Sequence, residues 1–436
     1  MKKWVLFLMA LIAIEVSAAD YTYKYLVFTG TDGTQTRFAT DGLKLNVADN
    51  SLVATNAEDT TAFALADLTK MAFAKATDDT GMEADVNGDG IVDVADITAV
   101  ITAMASSTEP QSGTAPNPQS GTAPNPQSGT APNPQSGTAP NPADVNGDGA
   151  VDVADISAVI SVMASNSEAA GEGTDTAATT TLNMVESQVT YQIPAGQAGE
   201  MVFENGETLT ILEKTFALAD ISQMFIDDTE VKDSTVTVSY AADGAQLFVA
   251  GNVAQYLTVI ADSGHVTIAQ DAELPFEITY SLSGSSEDGE FAMSGSYKAT
   301  VELRGLTLTN PDGAAINITN GKRIALSVKK GTVNTLTDGQ DGGQKAAIYC
   351  KGHLELKGQG TLNVSGNTAH AIKSGDYMSM KNCTVNILAA VKDGLSANEY
   401  FLMESGTLSI SGVGDDGIQV DLDGEENTGE TEDHED

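Results

Sequence analysis

Two stretches of this chain set oxygen-bearing side chains at alternate positions and then turn apolar. They are ADVNGDGIVDVADITAVITAMA, 84–105, and ADVNGDGAVDVADISAVISVMA, 143–164. In the first, Asp85, Asn87, Asp89 and Asp96 stand at loop positions 1, 3, 5 and 12, with the carbonyl of Ile91 between them. In the second, Asp144, Asn146, Asp148 and Asp155 take those places, with the carbonyl of Ala150. Oxygen ligands so spaced wrap a calcium ion, and the Gly at position 6 permits the sharp turn that wrapping needs. One copy could be an Asx-rich turn capping a helix; two near-identical copies point to calcium. A further acidic group follows a different spacing. Asp393 and Asp416 are 23 residues apart, each followed by Gly, and Asp415 adjoins the second. If a 23-residue repeat stacks them ~4.8 Å apart, their repulsion costs about 3 kcal/mol at an effective dielectric near 20. A bound cation, or a lysine, would remove that cost; the alternative is that Asp-Gly merely forms corner turns. The four histidines, His265, His353, His370 and His434, are spaced too widely for a zinc motif. No nucleophile triad or catalytic acid pair is recognisable.

The elements that must position these groups can be read from composition and period. The chain has 436 residues, with 21 Lys+Arg against 61 Asp+Glu, a net charge of −40. That acidity excludes nucleic acid as a partner, because phosphate binding needs a basic footprint. Lys2 and Lys3 precede the apolar run from Trp4 to Ile14 and the small residues Val16-Ser17-Ala18. This is the build of a secretory signal peptide, 1–19, so the protein is expected to be secreted or at the cell surface, with no transmembrane segment. After each calcium loop an apolar stripe of helical period follows: Ile97, Val100, Ile101, Met104 and Ile156, Val159, Ile160, Met163. Helices this short are marginal alone, so the stripes are expected to pack on each other or on a partner. Four copies of PQSGTAPN separate the two repeats, 84–106 and 143–165, and make 107–142 a linker.

Phe63 to Phe73 reads FALADLTKMAF and Phe216 to Ile226 reads FALADISQMFI. Each follows short alternating runs broken by Gly and Asn, which predicts two small β modules, 20–76 and 182–230, and a β-rich bridge over 231–279. From 280 to 436 the pattern is a coil repeat. His370 to Asp393 to Asp416, Tyr377 to Tyr400, and Thr361 to Thr384 to Thr407 all step by 23. Three short strands per step, with Gly at the corners, predict a right-handed parallel β-helix. Period-2 alternation puts Ile348, Ile372, Leu395 and Ile418 inside, with Tyr349 and Lys373 facing out. The fold class is therefore mainly β. Cys350 and Cys383 are expected to stay unpaired.

Two resemblances accompany these residues. The duplicated loop-helix motif resembles the type I calcium repeats of cellulosomal dockerins, with a much longer spacer than that family carries. The resemblance implies a cohesin-like protein partner, recognised at loop positions 10 and 11, here Val94-Ala95 and Val153-Ala154. The segments YSLSGSSEDGEF, GAAINITNGKR, TVNTLTDG, AHAIKS and GVGDDGIQVD resemble the secreted β-helical carbohydrate-binding domain family. Its members look like family 9 polysaccharide lyases in fold and bind acidic plant polysaccharide. That family continues for further coils, so this sequence is expected to be a C-terminally truncated copy. The only Trp is Trp4, inside the signal segment, so sugar stacking on Trp is excluded. Residues 290–414 hold 12 Lys+Arg and 10 Asp+Glu, making the coils the one region that would not repel a polyanion. The expectation is a non-catalytic binder of acidic polysaccharide, such as polygalacturonate, with Asp393, Asp415 and Asp416 holding calcium and Tyr349, Lys373 and Lys392 touching the sugar. The alternatives are a lyase using calcium and a Lys base, or a dockerin-type scaffold or surface protein.

Overall fold

The computed structural model describes residues 23–57, 59–75, 86, 94–106, 142–145, 150–168, 179–340 and 342–421. Residues 1–19 and nearly all of the PQSGTAPN stretch lie outside them. The described residues fall into two compact units, 74–177 and the rest of the chain. No described helix is long and apolar enough to cross a membrane.

The large unit begins with β1 (Tyr25–Gly30), β2 (Gln35–Ala39), β3 (Lys44–Ala48), β4 (Ser51–Thr55), β5 (Thr60–Ala64) and β6 (Leu68–Ala74). After the intervening unit come β7 (Thr181–Glu186), β8 (Val189–Pro194), β9 (Met201–Glu204), β10 (Thr208–Ile211), β11 (Lys214–Ala217) and β12 (Gln223–Asp227). The two sets repeat one plan: a hairpin, a three-strand meander and a sixth strand. They do not fold side by side. β6 pairs with β9, Met71 opposite Met201, and β12 pairs with β3, Met224 opposite Leu45. Each sixth strand thus joins its own hairpin to the other set's meander. One sheet runs β11-β10-β9-β6-β1-β2; the other carries β8, β7, β12, β3, β4 and β5 in sequence. Strand alternation turns Leu26, Phe28, Leu45, Leu182, Met201 and Leu209 into one shared core. Local turn chemistry supports the meanders. Asp49 and Asn50, at φ 48° and 59°, make the two-residue primed turn that matches strand twist.

The bridge joins this sandwich to the coils. Strand 244–250 runs parallel to β8 and antiparallel to 235–241, which in turn runs parallel to 278–286. From there a parallel β-solenoid of about 6 turns is built. On one face Ile316, Ile348, Ile372, Leu395 and Ile418 stack in strict register. The 24- and 23-residue steps reproduce the spacing in the sequence, after a longer 32-residue first step. The first three and Leu395 are at most 1% exposed, whereas Ile418 is 41% exposed because no described turn lies over it. On the polar outside of a second face, Asn386 Nδ2 donates to Asn363 Oδ1 at 2.9 Å. Tyr377 and Tyr400 stack at 5.0 Å with their planes 7° apart. Cys350 and Cys383 are both free and buried, and burial pushes the Cys383 thiol above its ordinary range.

In the small unit, α1 (Val94–Ser106) and α2 (Val153–Glu168) pack on each other through Val100, Val159 and Val145, all at most 5% exposed. Ile97, Met104 and Ile156 flank that contact. The expected stripe is wider than the contact it makes: Ile101 and Ile160 are 51% and 50% exposed. Two short helices crossing along one line cover i, i+3 and i+7 but leave the i+4 neighbour at the margin.

Candidate functional site

The solenoid corner is set by its backbone. Gly394 must be Gly, because a Cβ there would lie 2.7 Å from the Gly417 carbonyl of the next turn. The turns lock through Gly394 N–H donating to the Asp416 carbonyl at 3.0 Å and Leu395 N–H to the Gly417 carbonyl at 3.1 Å. This stacking brings Asp393, Asp415 and Asp416 together, with one carboxylate oxygen from each within 4.8 Å of the others. Asp393 is 2% exposed, and the other two face solvent. Asp393 Oδ1 accepts from the Asp416 N–H at 3.0 Å.

The 23-residue step also puts His370 in this column, and the structure gives it a contact there that the spacing alone does not. His370 Nδ1 lies 2.9 Å from Asp393 Oδ2, one turn before Asp393 in the same 23-residue column. Burial pushes its imidazole below the ordinary range, against the pull of Asp393, and the charges of Lys373 and Lys392 add to the fall. Three converging oxygens on a negatively charged corner form a donor set suited to a hard cation such as calcium.

Lys373 faces out one row along, aligned with Tyr349 on one side and Ser396 on the other. Its Nζ donates to Ser396 Oγ at 3.3 Å and Asn398 Oδ1 at 3.2 Å. Tyr349 is half-buried, with Lys345 Nζ 5.2 Å from its ring centroid. Lys392 is exposed beside Asp393.

In the small unit, the position-12 carboxylates Asp96 and Asp155 sit in the first turns of α1 and α2 and are 0% exposed. Asp155 Oδ2 accepts from the Asp152 N–H at 2.7 Å. Asp144 is half-buried and Ala150 exposed. Asp85, Asn87, Asp89, Ile91, Asn146 and Asp148 lie outside the described residues. Two fully buried carboxylates on so small a core are costly unless a cation or a donor set compensates them, and oxygen-rich loops fit calcium in that role.

Comparison with known proteins finds similarities in both regions. Residues 262–432 match the family model described as carbohydrate-binding domain-containing protein. Residues 83–164 match the dockerin type I domain. A carbohydrate-binding domain-containing protein of Acetivibrio thermocellus is 26% identical over 120 residues, 25% of this chain and 42% of that protein; the chain thus spans about two fifths of the relative's length. A solved structure described as the polysaccharide lyase-like protein from C. thermocellum, gadolinium derivative, aligns at a TM-score of 0.33 and 17% identity, covering 43% of this chain and 94% of that one.

Proposed function

We propose that this chain is an exported, non-catalytic carbohydrate-binding protein whose solenoid corner holds an acidic polysaccharide through calcium. One observation carries the reading. The carboxylates of Asp393, Asp415 and Asp416 converge within 4.8 Å on a solenoid that matches a carbohydrate-binding family. A cation there satisfies the protein oxygens and leaves coordination positions for a uronate carboxylate. Lys373 and Lys392 supply the charge, and Tyr349 an apolar surface on the neighbouring turn. Without the cation, the corner and the polymer are both anionic and repel.

The test is retention on polygalacturonate with and without a chelator. Calcium-loaded protein should be retained, and EDTA should release it. Asp416→Ala should weaken retention at least tenfold, a loss of about 1.4 kcal/mol, while Lys298→Ala should change it little. Retention indifferent to chelator and to Asp393 and Asp416 would leave these residues as turn formers. Accumulation of an unsaturated, ultraviolet-absorbing product would instead establish lyase chemistry.

A second reading concerns the small unit. Its match to dockerin type I and the equivalent exposed positions Ile101 and Ile160, with Val153 67% exposed, favour docking to a cohesin-like protein. Ile101→Asp combined with Ile160→Asp should weaken capture by a cohesin at least tenfold in calcium. Unchanged capture would remove these residues from the interface.

A further inference from the structure

The sandwich is built twice, and one difference between the two copies lies around Phe63 and its equivalent Phe216. Strand register makes Phe28 equivalent to Met184 and Thr36 to Tyr191, since Phe28 faces Thr36 and Met184 faces Tyr191. The FALAD repeat makes Phe63 equivalent to Phe216, each opposite a buried Leu, Leu52 and Leu209. In the second copy the place is full. Tyr191 is 4% exposed, and its ring lies 5.0 Å from that of Phe216. Lys214 Nζ sits 5.4 Å and 5.8 Å from the two ring centroids. Glu186 is held beside it, where the Lys214 charge acts on it.

In the first copy three of these residues are replaced by smaller ones, Tyr191 by Thr36, Lys214 by Thr61 and Glu186 by Gly30, while Met184 is replaced by the larger Phe28, whose ring stacks on Phe63. What remains is a cavity of about 450 Å³. Phe28 and Phe63 line it, their rings stacked 4.9 Å apart; Phe28 is 1% exposed, so the half-buried Phe63 supplies the ring surface that faces it. Thr34, Thr36, Asp32 and Asp67 also line it, and Asp32 Oδ1 is oriented by the Thr34 N–H at 2.9 Å. Among the described lining residues there is no Lys or Arg.

We propose that this cavity binds one pyranose ring that carries no negative charge, a neutral hexose or an amino sugar. The volume falls in the range of small-molecule sites, and the place is one that an aromatic side chain of similar breadth fills in the other copy. Aromatic surfaces suit the C–H face of a pyranose, while carboxylates and threonine hydroxyls accept from its hydroxyl groups. Two carboxylates with no cation in the lining repel a uronate. The charge preference is therefore opposite to that proposed for the solenoid corner, and the two sites stand or fall separately.

The experiment titrates the full chain with glucosamine, cellobiose and galacturonate, followed by calorimetry or ligand-detected NMR. Glucosamine or cellobiose should bind saturably in the millimolar range, and galacturonate at least tenfold more weakly. Thr36→Tyr combined with Phe28→Met fills the cavity with the pair, Tyr191 opposite Met184, that the equivalent register already accommodates. It should fold, keep polygalacturonate retention and lose glucosamine and cellobiose binding at least tenfold. Should that variant misfold, Asp67→Asn at the exposed rim should still narrow the discrimination against galacturonate, because it removes one of the two carboxylates that repel it. Binding that survives the double substitution, a preference for galacturonate, or no saturable binding of either uncharged or amino sugar would overturn the proposal.

Discussion

Chelation should unfold the α1–α2 pair and leave the solenoid standing. The pair has little else to hold it. Its core is three valines, Val100, Val145 and Val159, with a few flanking apolar residues, and helices of 13 and 16 residues are marginal in isolation. Asp96 and Asp155 are 0% exposed, and taking a carboxylate charge out of water costs several kcal/mol that a bound cation would help offset. Calcium binding is then linked to folding, adding about 2.7 kcal/mol per site at a hundredfold excess over Kd. Far-ultraviolet circular dichroism of the whole chain should lose its helical component in EDTA and regain it with calcium, while the β signal stays. Asp96→Asn with Asp155→Asn should show the same loss in calcium. A helical signal unmoved by chelator and by both substitutions would mean that protein donors alone compensate these carboxylates.

The solenoid was legible because one spacing rule generates it. The 23-residue step and the period-2 alternation lie in the sequence itself, and they place Ile348, Ile372 and Leu395 in the register observed. The sandwich was legible only in part. FALADLTKMAF and FALADISQMFI announce a repeated unit, but nothing local says which meander each sixth strand will meet. Met71 and Met224 carry the same inward pattern and fit either partner, so the exchange that pairs β6 with β9 and β12 with β3 is decided by the whole core. The pocket over Phe63 escapes notice for the same reason: Thr36 becomes meaningful only once its equivalence to Tyr191 is fixed by pairing. At the solenoid corner, the three aspartates follow from spacing. His370 has no signal when weighed against zinc motifs, yet it belongs to the same column as Asp393 and Asp416. The column is legible in the sequence; that His370 Nδ1 reaches Asp393 Oδ2 depends on the side-chain geometry at the corner, which spacing does not fix.

Ile372→Ala should destabilise the solenoid far more than Ile418→Ala, although the two side chains occupy the same column in the same register. Ile372 is 0% exposed between Ile348 and Leu395, whereas Ile418 is 41% exposed. Truncating a buried Ile costs about 2–5 kcal/mol, with the upper part of that range reached where the surroundings cannot collapse into the void. Here they are held apart by the ladder itself. Ile372 N–H donates to the Gly394 carbonyl at 3.1 Å and Leu395 N–H to the Gly417 carbonyl at 3.1 Å, fixing the turn spacing independently of the side chain. A void at position 372 therefore stays open. Ile418→Ala removes three carbon groups that water already partly touches, about 1.5 kcal/mol or less. Thermal unfolding should show a large fall in Tm for Ile372→Ala and smaller ones for Ile372→Val, near ~1 kcal/mol, and for Ile418→Ala. Equal falls at 372 and 418 would mean that further structure covers the last described turn, and that Ile418 is as much a part of the core as the residues stacked before it.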